Sequence, residues 1–399
     1  MISIFSILLG YLIGTILPAY YFGRLKGIDI RHEGAEYAGT INVYHVIGPR
    51  YAILTCIIDL TKGIFAIKMA LLFGVNFHIA QLSGLAAVAG HVLPFYLDFR
   101  GGQGVACATG ILLYYLAHFL STGALQIHVL LYLAIIVVIF AYVVRHGELI
   151  SVIILPLIFY SIGITRPEDP LNLYLLFVVL YIMAVGVHNI VTRKLLIIEE
   201  ESFRKSFWRV LLRPGATFFV LYYFYHTKRE TLFLVGTVAL IFLIIDIDRL
   251  SRLNLIRKLL KKELTIFKPS EEKRLSSLTL FLVGSFLTIW LFNQMIAITA
   301  MLMLIFGDIF SKIFGMAYGR HPLFKKTLEG SLAFLGCGLI CIFILSTALS
   351  WSPILMLVGV IAASIAEILP LGIDDNLTIP LLSGFFMWIA RYLGAANSF

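Results

Sequence analysis

The chain has 399 residues, of which 60% are hydrophobic and only 13% charged, with a net charge of +9. Soluble domains carry roughly 45–50% apolar residues, so this composition excludes a soluble globular protein and predicts an all-α, polytopic membrane protein. No soluble basic segment exists to carry nucleic acid, so nucleic acid is excluded as a partner and the positive charge reads as a topology signal.

About twenty apolar residues cross a bilayer as one helix, and in those units the chain holds about fourteen transmembrane helices in two bundles. Their centres fall near Leu12, Phe65, Ala87, Leu112, Ile136, Leu157 and Leu180, then Leu221, Leu240, Leu287, Leu302, Leu339, Leu357 and Met387. The first span, Ile2 to Phe22, has no basic residue before it and no small-residue cleavage site, which predicts a retained helix. Lys and Arg gather in alternate loops: Arg24 to Arg31, Arg50, Arg100, Arg145, Arg193 to Arg213, Arg249 to Arg274 and Lys312 to Lys326. The positive-inside rule puts those loops in the cytoplasm and the N-terminus outside, as in a cell inner membrane. There they favour anionic lipid headgroups. Cys56, Cys107, Cys337 and Cys341 lie in apolar runs without metal-ligand spacing and read as core thiols.

After the first span comes a polar, glycine-containing cytoplasmic loop, Gly23 to Gly48, of the kind that carries function. Asp59 and Lys62 interrupt the second span, as a site or as a satisfied internal ion pair. The segment Gly90 to Gly104, GHVLPFYLDFRGGQG, ends the third. Its Gly101, Gly102 and Gly104 form either an anion-binding nest of backbone amides or a tight turn.

These segments resemble the membrane acyl-phosphate:glycerol-3-phosphate acyltransferase family over about residues 1–201. The likeness rests on Gly27 to Arg31, Gly34, Gly39, Asn42-Val43, Gly48, Asp59-Leu60, Lys62-Gly63, Gly90-His91, Pro94, Phe99, Gly101-Gly102, Gly104 to Ala106 and Asn189-Ile190. The resemblance implies acyl phosphate and glycerol 3-phosphate as substrates, no cofactor, and substrate contacts from Asn42, Lys62, Arg100, Gly101, Gly102, Gly104 and Asn189. The chain departs from the family at reactive positions: Ala35, Glu36 and Tyr37 replace a Ser-Gly-Asn run, His45 an arginine, Gln103 a lysine, and Gly186 a histidine. His188 lies two residues on. Two readings follow: an acyltransferase with rearranged chemistry that uses His45, His91 and His188, with His45 and His91 catalytic, or a pseudoenzyme that binds or delivers lipid.

Lys194 to Arg213 is mixed in charge, with Phe203, Phe207 and Trp208 spaced for a short helix in the headgroup plane. Pro214-Gly215 breaks it, so residues 202–230 read as an interfacial linker with the first helix of a second half, 231–399. Asp248 to Arg274 is strongly basic. Leu250, Leu253, Ile256, Leu259 and Leu260 recur there at helical spacing, which predicts an amphipathic helix against the membrane.

In the second half, the apolar run Ile296 to Phe306 leads to Gly307 to Ser331, GDIFSKIFGMAYGRHPLFKKTLEGS, and places Asp308 at the expected end of a span. An acid there is costly and calls for a partner, most simply Mg²⁺ or a lysine. Asp374, Asp375 and Asn376 close another apolar run with oxygen ligands suited to Mg²⁺, so Asp308 and Asp375 are the candidate metal ligands. Lys325 and Lys326 suit phosphate oxygens. Gly315 and Gly319 either admit a nucleotide closely or serve helix packing.

This stretch resembles the CTP-dependent lipid kinases, among them dolichol, phytol and diacylglycerol kinases. The matching residues are Gly307-Asp308, Gly315, Gly319, Lys326 to Ser331, Glu367, Asp374 to Leu377 and Ile379-Pro380. Thr327 stands where a serine is common. The resemblance implies Mg²⁺ with CTP as nucleotide triphosphate, a lipid alcohol drawn from the membrane, catalysis by Asp308, Lys326, Glu329 and Asp375, and substrate contacts from Lys325 and Asn376. A lipid transporter is the rival reading, since intramembrane charges also line substrate paths.

Overall fold

Glycines at one helical spacing set the packing of the N-terminal helices. Gly10 and Gly14 lie on α1 (Ile2–Thr15), and a Cβ on either would collide with the backbone of Ser83 or Ala87 on α5 (Phe77–Val92). Gly90 answers them, facing the Tyr11 carbonyl. This is close backbone approach through small residues, the membrane form of helix packing. Pro18 starts α2 (Pro18–Leu25) and ends the run of α1, because proline fits a first helical turn and not an interior.

The structure, a computed structural model, describes residues 1–196, 214–251, 274–324 and 326–394. It divides into two compact units, Met1–Leu133 with His146–Leu195, and Ala134–Arg145 with Leu196–Phe399. The first unit continues through α3 (Thr40–Val46), α4 (Pro49–Leu72), α6 (Val105–Ser121), α7 (Ile127–Val144), α8 (Gly147–Thr165) and α9 (Leu171–Thr192). From Ala134 onward α7 groups with the second unit.

Side-chain caps start most helices of the second unit. Thr227 and Glu230 form a capping box for α10's successor α11 (Lys228–Leu250), after α10 (Thr217–Tyr225). Ser276 caps α12 (Ser277–Leu291) and Asn293 caps α13 (Gln294–Leu302). A π-helical turn, Met303–Gly307, joins α13 to α14 (Asp308–Tyr318). Two short antiparallel strands follow, β1 (Pro322–Leu323) and β2 (Lys326–Thr327), with Leu323 opposite Lys326. Thr327 then caps α15 (Leu328–Leu349), Ser352 caps α16 (Pro353–Ile368) and Asp374 caps α17 (Asp375–Tyr392).

Every one of the fourteen expected span centres lies in a helix, but among the described residues eight helices are long and apolar enough to cross a membrane. The count of fourteen is therefore not reached. The helices around Leu112, Leu287 and Leu357 are shorter, and α10, around Leu221, has nine residues, about 13.5 Å of the ~30 Å apolar core. Around Phe65, α4 has the length but carries Asp59, Lys62 and Lys68. A second difference concerns Asp308, which lies inside the continuous run Gln294–Tyr318 and not at its end. The expected surface helices of 194–213 and 248–274 fall almost wholly outside the described residues.

Candidate functional site

In the first unit, Asn42 is 1% exposed and acts as the knot of the preceding loop. Its Oδ1 accepts from the Ala35 amide at 2.8 Å, and its Nδ2 donates to the carbonyls of Ile30, Glu33 and Tyr37 at 2.9 Å each. Arg31 fixes the loop's other edge by pairing with both oxygens of Asp29 and donating to the Leu97 carbonyl at 3.0 Å. The Arg31 hydrogen bonds hold the Asp29 carboxyl down at about 2.

Asp59, Lys62 and His91 form a buried network. One helical turn apart on α4, Asp59 Oδ1 and Lys62 Nζ meet at 2.9 Å. Lys62 also donates to the Gly14 and Ile16 carbonyls at 3.1 Å, at the break between α1 and α2, and touches His91 Nδ1. All three ammonium hydrogens of Lys62 are engaged, whereas the buried Oδ2 of Asp59 has no hydrogen-bond partner.

The glycine loop packs on the end of α5. The Gly101 and Gly102 amides donate to the Val92 and His91 carbonyls at 3.0 and 3.1 Å, and Gly101 accepts from Ala38 at 3.4 Å. Those two amides satisfy helix-terminal carbonyls, which leaves neither of them for an anion. A Cβ at Gly102 would collide with His91 Nε2 and the Ala38 carbonyl. Gly104 has φ +67°, which favours glycine, and precedes α6.

Next in the loop, Gln103 pairs with Asn189 of α9 through two amide hydrogen bonds, and Tyr181 Oη donates to the Gln103 carbonyl at 2.7 Å. The loop from Asn42, the glycine loop and the end of α9 are thereby joined. His45 and His188 are exposed, whereas His91 is 2% exposed and touches Lys62 Nζ. Arg100 is exposed. A Cβ at Gly186 meets only ordinary contacts of 3.5 Å with Glu148, Ser151 and Val152 on α8.

One residue, read from sequence only as part of a basic loop, was not marked as a site candidate. Arg193 lies over the Tyr37 ring at 5.9 Å and 3.4 Å from Glu148, a cation beside the loop that Asn42 ties. Its signal was available, because it follows Asn189 by one helical turn.

In the second unit, Lys326 joins two acids that lie far along the chain. Its Nζ donates to Glu367 Oε1 at 2.9 Å and to Asp375 Oδ2 at 3.0 Å. Burial pushes this ammonium's pKa down, but the two carboxylates outweigh burial and hold it above the ordinary lysine value. Fully buried Glu367 also accepts from Ser311 at 2.6 Å and Ser331 at 3.0 Å. Ser311, Gly315 and Gly319 follow at four-residue spacing, so this hydroxyl could have been read from the same helical stripe.

Glu329 orders the turn before the strands. Fully buried, it accepts from the Arg320 and His321 amides at 2.9 and 3.2 Å and pairs with His321 Nδ1 at 2.7 Å. Gly315 and Gly319 serve packing, since a Cβ on either comes within 3.0 Å of Thr327 Oγ1. Asn376 bonds Asp374 Oδ1 through side chain and amide, a cap for α17. Asp308 opens α14 directly after the π turn, and Lys325 lies outside the described residues. Among the described residues no three His, Cys, Asp or Glu side chains are grouped to hold a metal ion.

Comparison with known proteins gives a family profile, glycerol-3-phosphate acyltransferase, that matches residues 4–196. A glycerol-3-phosphate acyltransferase of Trichlorobacter lovleyi is 32% identical over 191 residues, 48% of this chain and 93% of that protein. One of Pseudomonas putida is 41% identical over 120 residues, 29% of this chain and 64% of that protein. Among solved structures, the glycerol 3-phosphate form of PlsY (YgiH), described as an integral membrane glycerol 3-phosphate acyltransferase, is 26% identical. It covers 48% of this chain and 89% of its own, with a TM-score of 0.36.

Proposed function

The chain belongs, through its first half, to the glycerol-3-phosphate acyltransferase family of membrane transferases, and on that premise we propose that this half acylates glycerol 3-phosphate with acyl phosphate. The observation that carries the reading is the Gln103 to Asn189 pair, which ties the glycine loop to the end of α9, while the Ala38 amide ties the loop before Asn42 to Gly101. In the reaction a glycerol hydroxyl oxygen attacks the acyl carbonyl, the bond from that carbon to phosphate oxygen breaks, and inorganic phosphate leaves with the proton. Arg100 and Arg193 are the cations for the phosphates, in place of the residues replaced by His45 and Gln103. The Lys and Arg distribution supports a cytoplasmic site in a cell inner membrane with the N-terminus outside. The test is purified protein with acyl phosphate and radiolabelled glycerol 3-phosphate. Lysophosphatidate above the level of an Asn189→Ala control is expected; none above that level leaves the lipid-binding pseudoenzyme.

The Lys326 cluster favours a second activity in residues 231–399, CTP-dependent phosphorylation of a lipid alcohol. Lys326 neutralises charge, and a carboxylate of Glu367 or Asp375 takes the hydroxyl proton as its oxygen attacks the terminal phosphorus and CDP departs. Mg²⁺ needs only one or two carboxylates when phosphates supply further ligands, so Asp308 and Asp375 suit an ion that arrives with the nucleotide. Such an ion supplies charge neutralisation on the phosphates. Glu329 sets the Arg320–His321 turn that precedes β1, and Asn376 holds the start of α17. Membranes incubated with radiolabelled CTP and a panel of lipid alcohols test this, and transport of labelled lipid without CTP turnover supports the transporter instead.

A further inference from the structure

The turn that joins the two acids bound to Lys326 is apolar. Between Glu367 and Asp374 the sequence reads ILPLGI, without a charged or polar side chain. Leu369, Leu371 and Ile373 in that turn are 41, 43 and 62% exposed. Phe324, two residues before Lys326 at the tip of the β1 to β2 turn, is 67% exposed. Turns that face water are built mostly from Gly, Pro, Asn, Asp and Ser. Four large apolar side chains, flanking all three members of a polar cluster along the chain, depart from that rule.

The same apolar surface begins farther back, on α16. Leu357, Ile361, Ile365 and Leu369 recur every four residues and are all exposed, which is one stripe along a helix. Glu367 is fully buried on the other side of α16, and the stripe runs past its level into the turn. Trp351, a residue type favoured where membrane meets water, stands just before Pro353, the first residue of α16. From Pro353 to Glu367 the axis rises about 21 Å against an apolar core of ~30 Å, so an upright α16 leaves Glu367 about 9 Å short of the far boundary. The turn's backbone suits that setting. The Leu369 amide donates to the Ile365 carbonyl at 3.1 Å, Pro370 has no amide hydrogen, and the Leu371 amide donates to the Leu369 carbonyl at 2.9 Å. Donors satisfied within the chain are what a lipid-facing segment requires. We propose that this turn and Phe324 insert into the acyl region of the leaflet on the Lys326 side, so that lipid covers them and the cluster sits below the headgroup plane. Lipid is the occupant because the face continues the stripe that α16 presents to the membrane and carries no charge for a polar partner to match. The anchor stands without the phosphorylation reading; on that reading it lets a membrane lipid meet Lys326 without leaving the bilayer.

The test replaces Leu371, Ile373 or Phe324, one at a time, by the photoreactive amino acid p-benzoylphenylalanine in the full-length protein. The same change at exposed Glu33, in the polar loop of the first unit, is the water-facing reference. After irradiation in native membranes, mass spectrometry reads what each position has captured. Phospholipid adducts through an acyl chain are expected at all three positions, at least tenfold above Glu33. A doubled mass would assign the face to a second copy of the chain, and an adduct with another protein would assign it to a protein partner. Either result overturns the proposal, as does lipid capture no higher than at Glu33. The three positions lie on two separate turns, so if one variant folds poorly the other turn decides. CTP turnover without lipid capture would keep the kinase reading and remove the anchor, and lipid capture without CTP turnover would do the reverse.

Discussion

Gln103 and Asn189 satisfy each other: Nε2 of the first donates to Oδ1 of the second at 2.9 Å, and Nδ2 of the second returns a hydrogen bond at 3.1 Å. A lysine at 103 could not form that closed pair, because an ammonium has no acceptor. The pair thus forms a strap between loop and helix.

Restoring the cation should therefore strengthen substrate binding and loosen the strap. For Gln103→Lys the expected result is a KM for glycerol 3-phosphate about tenfold lower, since a charge-assisted phosphate contact contributes ~1.5–3 kcal/mol, partly offset by the lost pair. Initial-rate measurements on the purified variant check this, and an unchanged KM would place residue 103 away from the phosphate.

Lys62→Met should destabilise the first unit by ~3–5 kcal/mol, because it leaves Asp59 buried without its ammonium. The double variant Asp59→Leu with Lys62→Met should recover part of that loss, as replacement of a whole buried pair is often tolerated. Chemical denaturation in detergent across the four proteins of a double-mutant cycle gives the coupling.

Two glycine substitutions separate space from conformation. Gly102→Ala drives a methyl into His91 and the Ala38 carbonyl and should lower acyl transfer at least tenfold, a size set by ~1.4 kcal/mol per decade. Gly147→Ala meets nothing within 4 Å and should leave activity unchanged. Equal losses at both positions would count against the packed loop.

The Asp29 to Arg31 pair makes a pH prediction. The carboxyl's folded pKa, about 2, is below its ordinary 3.8. The pair's stabilisation is full above 3.8 and disappears as pH falls through 2, because the unfolded chain binds the proton first. Melting curves of wild type and Asp29→Asn should differ at pH 7 and converge towards pH 2. A difference that persists at pH 2 would point to shape and not charge.

Helix positions were readable because apolar runs of some twenty residues have few other solutions in a membrane. Their ends were not. The break at Leu17 depends on Pro18 and on a lysine from α4, and α10 stops after nine residues at His226, neither of which shows in composition. Lys326, Glu367 and Asp375 were each marked by sequence, and their meeting is a tertiary fact. For Gly315 and Gly319 spacing alone could not separate ligand approach from packing, and the structure adds that a Cβ on either would meet Thr327 Oγ1 at 3.0 Å. Glu329 was marked as a catalytic candidate; the structure sets it against the Arg320 and His321 amides.

The lysine that serves the carbonyls of Gly14 and Ile16 stands 48 and 46 residues downstream of them. During synthesis the opening helix therefore enters the bilayer with its final turn unserved, and that turn is completed only when a later segment docks. A chain cut between the two should keep its first helix in the lipid yet lose the bend that aims the following loop. Assembly of the first loop is in this way deferred until the second long helix has arrived.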